Sequence, residues 1–382
     1  MAETVRTSGA AAAEAASASA KERAPEQDIA KGIAILLVVA LHTLKLDQTA
    51  FRLLGGLFGF IMPFFFFIAG SNYQPGKYAY KEIVRRRVKQ LVKPMITYSV
   101  SITVIAGAYL MLTGQYSLGD VVNDYLMMLL SRQCAGWIGI TSSGVLHKTI
   151  MFFWFIQMLF VASLVFYAVV DYALSKASRF ISITVGLTAL TMLFAHFDLH
   201  LPFYLLEAPA IAAMMLFGAL FGKHRLLTCH AGKRAIVFNC LAAYAIFLVL
   251  AAMFRGSGFI MGGYLWTRTL KEWDVLLSLV FSVTGSYAFV HACRWLVKTG
   301  PLCKALTWCG NNSMKLLFLH GIVQLFLCGA LGMEPFRMSM QSEESDLRTF
   351  YVLALELLFT VLAILAMEYC KGKLARKKPA AE

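Results

Sequence analysis

The sequence predicts an all-α integral membrane protein, a bundle of about ten transmembrane helices with both termini in the cytoplasm. Three observations support this prediction. Hydrophobic residues make up 59% of the 382 residues, and the mean hydropathy is +0.67. Charged residues make up only 15%, whereas a soluble protein carries about a quarter. The lysines and arginines fall in short runs between apolar stretches, which is typical of membrane topology rather than of nucleic-acid binding.

Ten apolar stretches are long enough, or nearly long enough, to cross a membrane, which takes about 20 residues. In chain order they cover residues 29–46, 55–73, 94–113, 150–170, 180–196, 205–222, 235–254, 274–293, 312–331 and 348–370. The fifth and sixth stretches are separated by a polar segment, 196–209, that contains two prolines. The connection 114–149 is long enough to hold a re-entrant or amphipathic piece.

The distribution of basic residues predicts the orientation of the chain in the membrane. With the amino terminus in the cytoplasm, the cytoplasmic segments carry about three times as many Lys and Arg as the exterior loops, as the positive-inside rule requires. The chain then divides into a disordered cytoplasmic tail (1–27), a transmembrane domain (28–370) and a basic cytoplasmic tail (371–382). The eight cysteines show no metal-ligand spacing, so we predict no metal site.

Three ionisable residues, Asp28, Lys31 and His42, concentrate in and directly before the first predicted span. Such residues inside a membrane segment are functional candidates because burying them is costly. Lys31 and His42 are eleven residues apart, almost three whole turns, so both project from one face, about 16 Å apart. Asp28 lies three positions before Lys31 and shares that face. Alternatively, Lys31 reaches toward the lipid head groups and His42 makes a structural bond between helices. Spacing alone does not choose between these interpretations.

Two further features are functional candidates. His320 follows Ser313 by seven residues, so both occupy nearly the same face of one predicted helix, although spacing leaves the role of His320 open. The densest basic run, 81–94, is either a topology determinant on anionic lipid head groups or a cradle for the phosphates of a nucleotide-containing cofactor. Its candidate phosphate ligands are Arg85, Arg86, Arg87 and Lys89.

These segments together resemble the acyltransferase 3 family of membrane-bound acyltransferases, over about residues 28–369. Residues 28–42 resemble the opening signature of the family, with Lys31 where many members have Arg. Residues 62–70 are similar to its Pro-Phe-Phe…Ser-Gly segment, with Ala69 in place of the Ser. Further landmarks match in the same order, namely the basic run ending at Pro94, Trp154 with Phe155, and Ser313 with His320. Residues 202–218 are most similar to the fucose 4-O-acetylase-like branch.

The resemblance implies a transmembrane enzyme that takes an acyl group, usually acetyl, from coenzyme A in the cytoplasm. The acceptor is then a hydroxyl on a cell-envelope glycan or a lipid-linked sugar. In the family the first-helix histidine is catalytic, which implies that role for His42, and His320 is a second catalytic candidate. By the same resemblance the acyl-CoA contacts are Lys31, Arg85, Arg86, Arg87 and Lys89. Asp28, which shares the helix face of Lys31, is a further candidate for acyl-CoA binding. The candidates for acceptor binding are Trp154, Glu207 and Ser313.

Under this hypothesis acetyl-CoA or another acyl-CoA is the donor, and the partners are membrane lipid, acyl-CoA and the acceptor, with no nucleic acid. We expect the chain in the inner (cytoplasmic) membrane of a bacterial cell. His42 would act as a general base, and an acyl-histidine intermediate is the alternative.

Two other classes of protein fit part of the pattern. A secondary transporter or lipid-linked-sugar flippase would use intramembrane ionisable groups as a proton relay, but such proteins often contain an internal repeat, and we find none between the two halves. A receptor-like structural membrane protein would not require the alignment of Lys31 with His42.

Overall fold

A computed structural model describes residues 25–45, 59–130, 144–227 without 198 and 200, 272–333 and 347–376, with a few isolated positions between these ranges. These residues form helices, and no strand occurs among them. The helices are α1 Pro25–Thr43, α2 Ile61–Ser71, α3 Tyr80–Leu112, α4 Leu118–Leu130, α5 Val145–Ala173, α6 Ala177–His196, α7 Ala208–Lys223, α8 Glu272–Cys293, α9 Pro301–Asn311, α10 Ser313–Ala330 and α11 Arg348–Arg376.

Six helical segments in the described ranges are long and apolar enough to cross a membrane. They are Tyr80–Leu112, Val145–Ala173, Ala177–His196, Pro202–Lys223, Ser313–Ala330 and Arg348–Lys373. Each contains or overlaps one of the ten predicted spans, so the helical membrane architecture is confirmed. Most of the predicted span 235–254 lies outside the described residues. The count of ten and the cytoplasmic position of both termini stay predictions.

The connection 114–149 contains the amphipathic helix α4, which is tied to the start of α5 by a buried carboxylate. Asp124 is fully buried, and it accepts hydrogen bonds from the Tyr116 hydroxyl (3.1 Å) and from the backbone N–H of His147 (3.0 Å). The Tyr116 oxygen accepts in turn from the backbone N–H of Leu146, at 3.1 Å. Burial raises the pKa of Tyr116 to about 12, so its hydroxyl keeps the proton that it donates.

Two pairs of helices meet at glycines with their backbones in contact. A Cβ added to Gly310 of α9 would lie 2.0 Å from the carbonyl oxygen of Asp28, and Gly32 of α1 faces α9 in the same way. α2 and α7 approach each other equally closely through Gly70 and Gly218. Small residues permit such an approach between membrane helices, where packing rather than hydrophobic burial drives association. These contacts fix α1 against α9 and thereby against α10, which follows α9 directly.

Candidate functional site

The two intramembrane histidines lie side by side. His42 is in the last turn of α1 and His320 is in the middle of α10, with their ring centroids 5.8 Å apart and their planes at 26°. Phe152 of α5 completes the group, since its ring centroid lies 4.7 Å from that of His42 and 4.2 Å from that of His320. His320 is fully buried, whereas His42 keeps part of its surface exposed. We call His42 and His320 the histidine pair.

Hydrogen bonds determine the tautomer of neutral His320. Its Nδ1 lies 2.8 Å from the carbonyl oxygen of Leu317 and 3.2 Å from that of Leu316. A carbonyl oxygen only accepts, so Nδ1 must carry the proton. Nε2 therefore has the lone pair, and this buried atom has no hydrogen-bond partner among the residues that the structure describes. His320 thus supplies a free proton acceptor within the histidine pair.

Charged side chains gather at the amino-terminal ends of α1 and α10. Lys31 Nζ lies 2.5 Å from Asp28, so the two predicted neighbours form an ion pair. Lys315 Nζ lies 2.5 Å from Glu368 of α11 and 2.8 Å from Oδ1 of Asn312. We call this region the charged end. Along α1 it is separated from the histidine pair by about 16 Å.

A narrow crevice lies between the charged end and the histidine pair. On α1 it is lined by Ile35 and Val38, which lie four and seven residues after Lys31, on the same helix face as His42. Its other walls are Met62, Phe65, Phe155, Ser313, Met314 and Leu317. The crevice has a volume of about 20 Å³, which is room for about one water molecule.

A larger polar cleft, of about 350 Å³, opens between the α2–α3 connection and α5. Its lining residues are Asn72, Tyr73, Gln74, Gly76, Lys77, Tyr78, Ile83, Arg86, Arg87, Gln90, Tyr167 and Asp171. The three features follow one another along α5. The histidine pair lies at Phe152, the crevice at Phe155 and the cleft at Tyr167. The distance from Phe152 to Tyr167 is about 22 Å along the helix, in the direction that leads to the charged end.

Side chains of the cleft hold two of its cations in place. Arg87 donates to the Tyr167 hydroxyl at 2.6 Å. The Arg86 guanidinium lies 3.8 Å from the centre of the Tyr78 ring and 2.9 Å from the Glu82 carboxylate. Both guanidinium groups are therefore oriented by protein contacts.

The cleft also contains a tyrosine–carboxylate pair, in which Tyr73 donates to Asp171. Burial raises the pKa of Tyr73, as does this bond, so Tyr73 remains the donor.

Only two of the four candidate residues of the basic run line the cleft. Arg85 and Lys89 are exposed and do not line the cleft, whereas Arg86 and Arg87 do. Residues four apart share a helix face, which explains why Arg85 and Lys89 both point away from the cleft. The sequence predicted all four as phosphate ligands because spacing does not reveal which face of α3 packs beside the cleft.

Two of the predicted acceptor residues, Trp154 and Glu207, lie around a strained turn before α7. In this turn Tyr204 has a φ of 58°, in the left-handed region that few residues other than glycine adopt. The ring centroid of Tyr204 lies 6.2 Å from that of Trp154. Glu207 is 7% exposed and immediately precedes α7. The third predicted acceptor residue, Ser313, lines the crevice instead.

A buried polar cluster that was not predicted from the sequence lies next to the histidine pair. The Thr43 hydroxyl donates to Oε2 of Glu356 at 2.7 Å, and Gln324 Nε2 donates to Thr43 Oγ1 at 3.0 Å and to the same carboxylate oxygen at 3.3 Å. We call these three residues, with Thr360, the carboxyl cluster. Glu356 lies within a predicted span, so the argument that selected His42 applies to it equally. In the described part of the chain, no three His, Cys, Asp or Glu side chains could hold a metal ion together.

Comparison with known proteins identifies the family of the chain. A family model described as an acyltransferase domain matches residues 26–368, which include the histidine pair, the crevice, the cleft and the carboxyl cluster. No curated protein and no solved structure matches the chain. The likeness to the fucose 4-O-acetylase branch stays a prediction. Because the match covers nearly the whole sequence, the chain belongs to the acyltransferase 3 family.

Proposed function

We propose that this protein is an O-acyltransferase that moves an acyl group, acetyl in the simplest case, from acyl-CoA to a hydroxyl of a cell-envelope glycan or a related acceptor. The donor binds on the cytoplasmic side of a bacterial inner membrane. The observation that carries this proposal is the crevice, because it follows the helix face between Lys31 and His42. A long, thin substrate bound at the charged end can reach the histidine pair along that path.

The polar cleft suits the nucleotide part of acyl-CoA. Its phosphates are multiply charged, and Arg86 and Arg87 offer guanidinium groups that match them in charge and geometry. Contacts with Tyr78 and Tyr167 already orient these groups, which lowers the entropy lost on binding. The exposed Arg85 and Lys89 would attract the nucleotide from solution.

The pantetheine arm of the donor would then extend along the crevice toward His42. The crevice must widen, since about 20 Å³ is far smaller than the arm. Its walls include Met62 and Met314, which are flexible, unbranched side chains that adjust readily. In this arrangement Ser313 contacts the donor, so we now assign it to acyl-CoA binding rather than to the acceptor.

The histidine pair supplies proton transfer. Neutral His42 accepts the proton of the acceptor hydroxyl while the hydroxyl oxygen attacks the thioester carbonyl carbon. An ester C–O bond forms, the C–S bond breaks, and the imidazolium returns its proton to the CoA sulfur. His320 provides a second proton acceptor through Nε2. An acyl-histidine intermediate remains the alternative, and it would exchange label between acetyl-CoA and free CoA without acceptor.

The test uses membranes incubated with labelled acetyl-CoA, followed by mass spectrometry of envelope glycans and small molecules. We expect His42→Ala to abolish the acyl mass shift at normal membrane levels, because the variant lacks the base that takes the proton of the acceptor hydroxyl. The control is His196→Ala, which alters an exposed histidine at the end of α6. Transfer by His42→Ala at the wild-type rate would refute the mechanism. Failure of the purified protein to bind acetyl-CoA would favour a transporter.

A further inference from the structure

The carboxyl cluster lies directly beyond the histidine pair, as seen from the charged end. Thr43 follows His42 in α1, and Gln324 lies one turn after His320 in α10. Glu356 approaches from α11, which runs antiparallel to α10, because Glu368 of the same helix lies at the charged end. The cluster and the cleft therefore lie on opposite sides of the histidine pair.

Several polar atoms of this region are buried without a partner. They are Oε1 of Glu356, Oε1 of Gln324, Oγ1 of Thr360 and Nε2 of His320, none of which has a hydrogen-bond partner in the described part of the protein. All four residues are at most 2% exposed. Buried polar groups are normally hydrogen-bonded, so a concentration of exceptions calls for an explanation.

The chemistry of these atoms limits what could satisfy them. Oε1 of Gln324 and, in the tautomer described above, Nε2 of His320 only accept, and the Thr360 hydroxyl accepts as well as donates. Oε1 of Glu356 becomes an acceptor only once hydroxyl donors from a ligand stabilise its carboxylate form. A ligand that satisfies these atoms must therefore present several hydrogen-bond donors, spaced within about the length of one helical turn. No Lys or Arg side chain pairs with Glu356 in the described ranges. A sugar carries hydroxyl groups on neighbouring carbons, and each hydroxyl can donate to one of these acceptors.

We propose that the carboxyl cluster is the binding subsite for a sugar acceptor, with Glu356 as its main hydrogen-bond acceptor. The inference rests on the proposed function, because it places the sugar beside the histidine pair. A hydroxyl next to the reacting one donates to Oε1 of Glu356, and a further hydroxyl donates to Gln324. The reacting hydroxyl then points toward His42, while the acyl donor arrives from the opposite side through the crevice.

The decisive variant is Glu356→Gln. The amide oxygen can still accept from Thr43 and Gln324, but the second atom becomes an NH₂ group, which cannot accept a bond from a hydroxyl. Purified protein is given acetyl-CoA, and release of the CoA thiol is followed with and without a panel of methyl pyranosides. We expect the KM for the pyranoside to rise about 10- to 100-fold, because one hydrogen bond to a charged group is lost. Thiol release without pyranoside should stay unchanged.

Two more variants separate binding from folding. Glu356→Asp keeps the carboxylate and should restore part of the affinity for the pyranoside. Glu368→Gln makes the same chemical change on the same helix, about 18 Å away at the charged end. With acetyl-CoA saturating, so that any effect on donor binding is removed, it should leave the KM for the pyranoside unchanged. The thermal midpoint of each variant in detergent reports its folding.

Each outcome has a defined meaning. Wild-type protein that does not react with acetyl-CoA would refute the proposed function itself. Wild-type protein that releases thiol at a rate no pyranoside raises would overturn the assignment to sugars. An unchanged KM in Glu356→Gln, or an equal loss of thiol release with and without pyranoside, would overturn the role of Glu356 in acceptor binding. The last result would instead indicate a part in proton transfer or in structure.

Discussion

The backbone contact between α1 and α9 can be tested with a single methyl group. In Gly310→Ala the new Cβ would lie 2.0 Å from the carbonyl oxygen of Asp28, whereas ordinary contact begins at 3.4 Å. The helices must therefore separate by about 1.4 Å at this point. No change of rotamer can relieve the clash, because both partners are backbone-fixed atoms. Overpacking of this kind costs about 1–3 kcal/mol, and we expect the upper half of that range.

The matched control is Gly186→Ala in α6, where an added Cβ meets nothing within 4 Å. Both variants replace a helical glycine by alanine, so both gain up to about 1 kcal/mol of helix propensity. That gain cancels when the two variants are compared. The difference between them should therefore equal the overpacking cost, about 2–3 kcal/mol.

The assay is thermal unfolding of the purified variants in one detergent, without ligand. Gly310→Ala should unfold at a lower temperature than Gly186→Ala, which should unfold at or above the wild-type midpoint. Acetyl-CoA turnover should fall as well in Gly310→Ala, because Asp28 and Lys31 move with α1. Equal midpoints for the two variants would show that α1 and α9 do not meet at Gly310, and the placement of His42 beside α10 would lose its support.

Two other predictions concern the cleft and α4. Arg87→Gln should raise the KM for acetyl-CoA about tenfold or more, because a charge-assisted contact is lost. The control Arg85→Gln changes an exposed arginine and should raise this KM less. Equal effects would show that the basic run acts only through its total charge. Tyr116→Phe should destabilise the protein by about 1–3 kcal/mol, because buried Asp124 loses a donor, whereas Tyr369→Phe at an exposed position should be neutral. Indistinguishable unfolding midpoints for these two variants would contradict the role given to Tyr116.

Some site features could be predicted because they depend on one helix alone. The ion pair of Asp28 with Lys31, and the helix face that Lys31 shares with His42, both follow from helical periodicity. Glu356 could have been found by the same principle that selected His42, since it is an ionisable residue inside an apolar span. Its partners could not have been found that way, because Thr43 lies 313 residues away in the chain.

The sequence by itself determined the helical membrane architecture and the helix faces that carry the candidate residues. Apolar length and helical period are local properties, because in lipid each helix satisfies its own backbone hydrogen bonds. Only the tertiary structure decided which faces meet. It set His42 beside His320, turned Arg86 and Arg87 into the cleft while Arg85 stayed outside, and brought Glu356 to the histidine pair. The physical reason is that such meetings depend on packing between helices distant in sequence, which no spacing along one helix specifies.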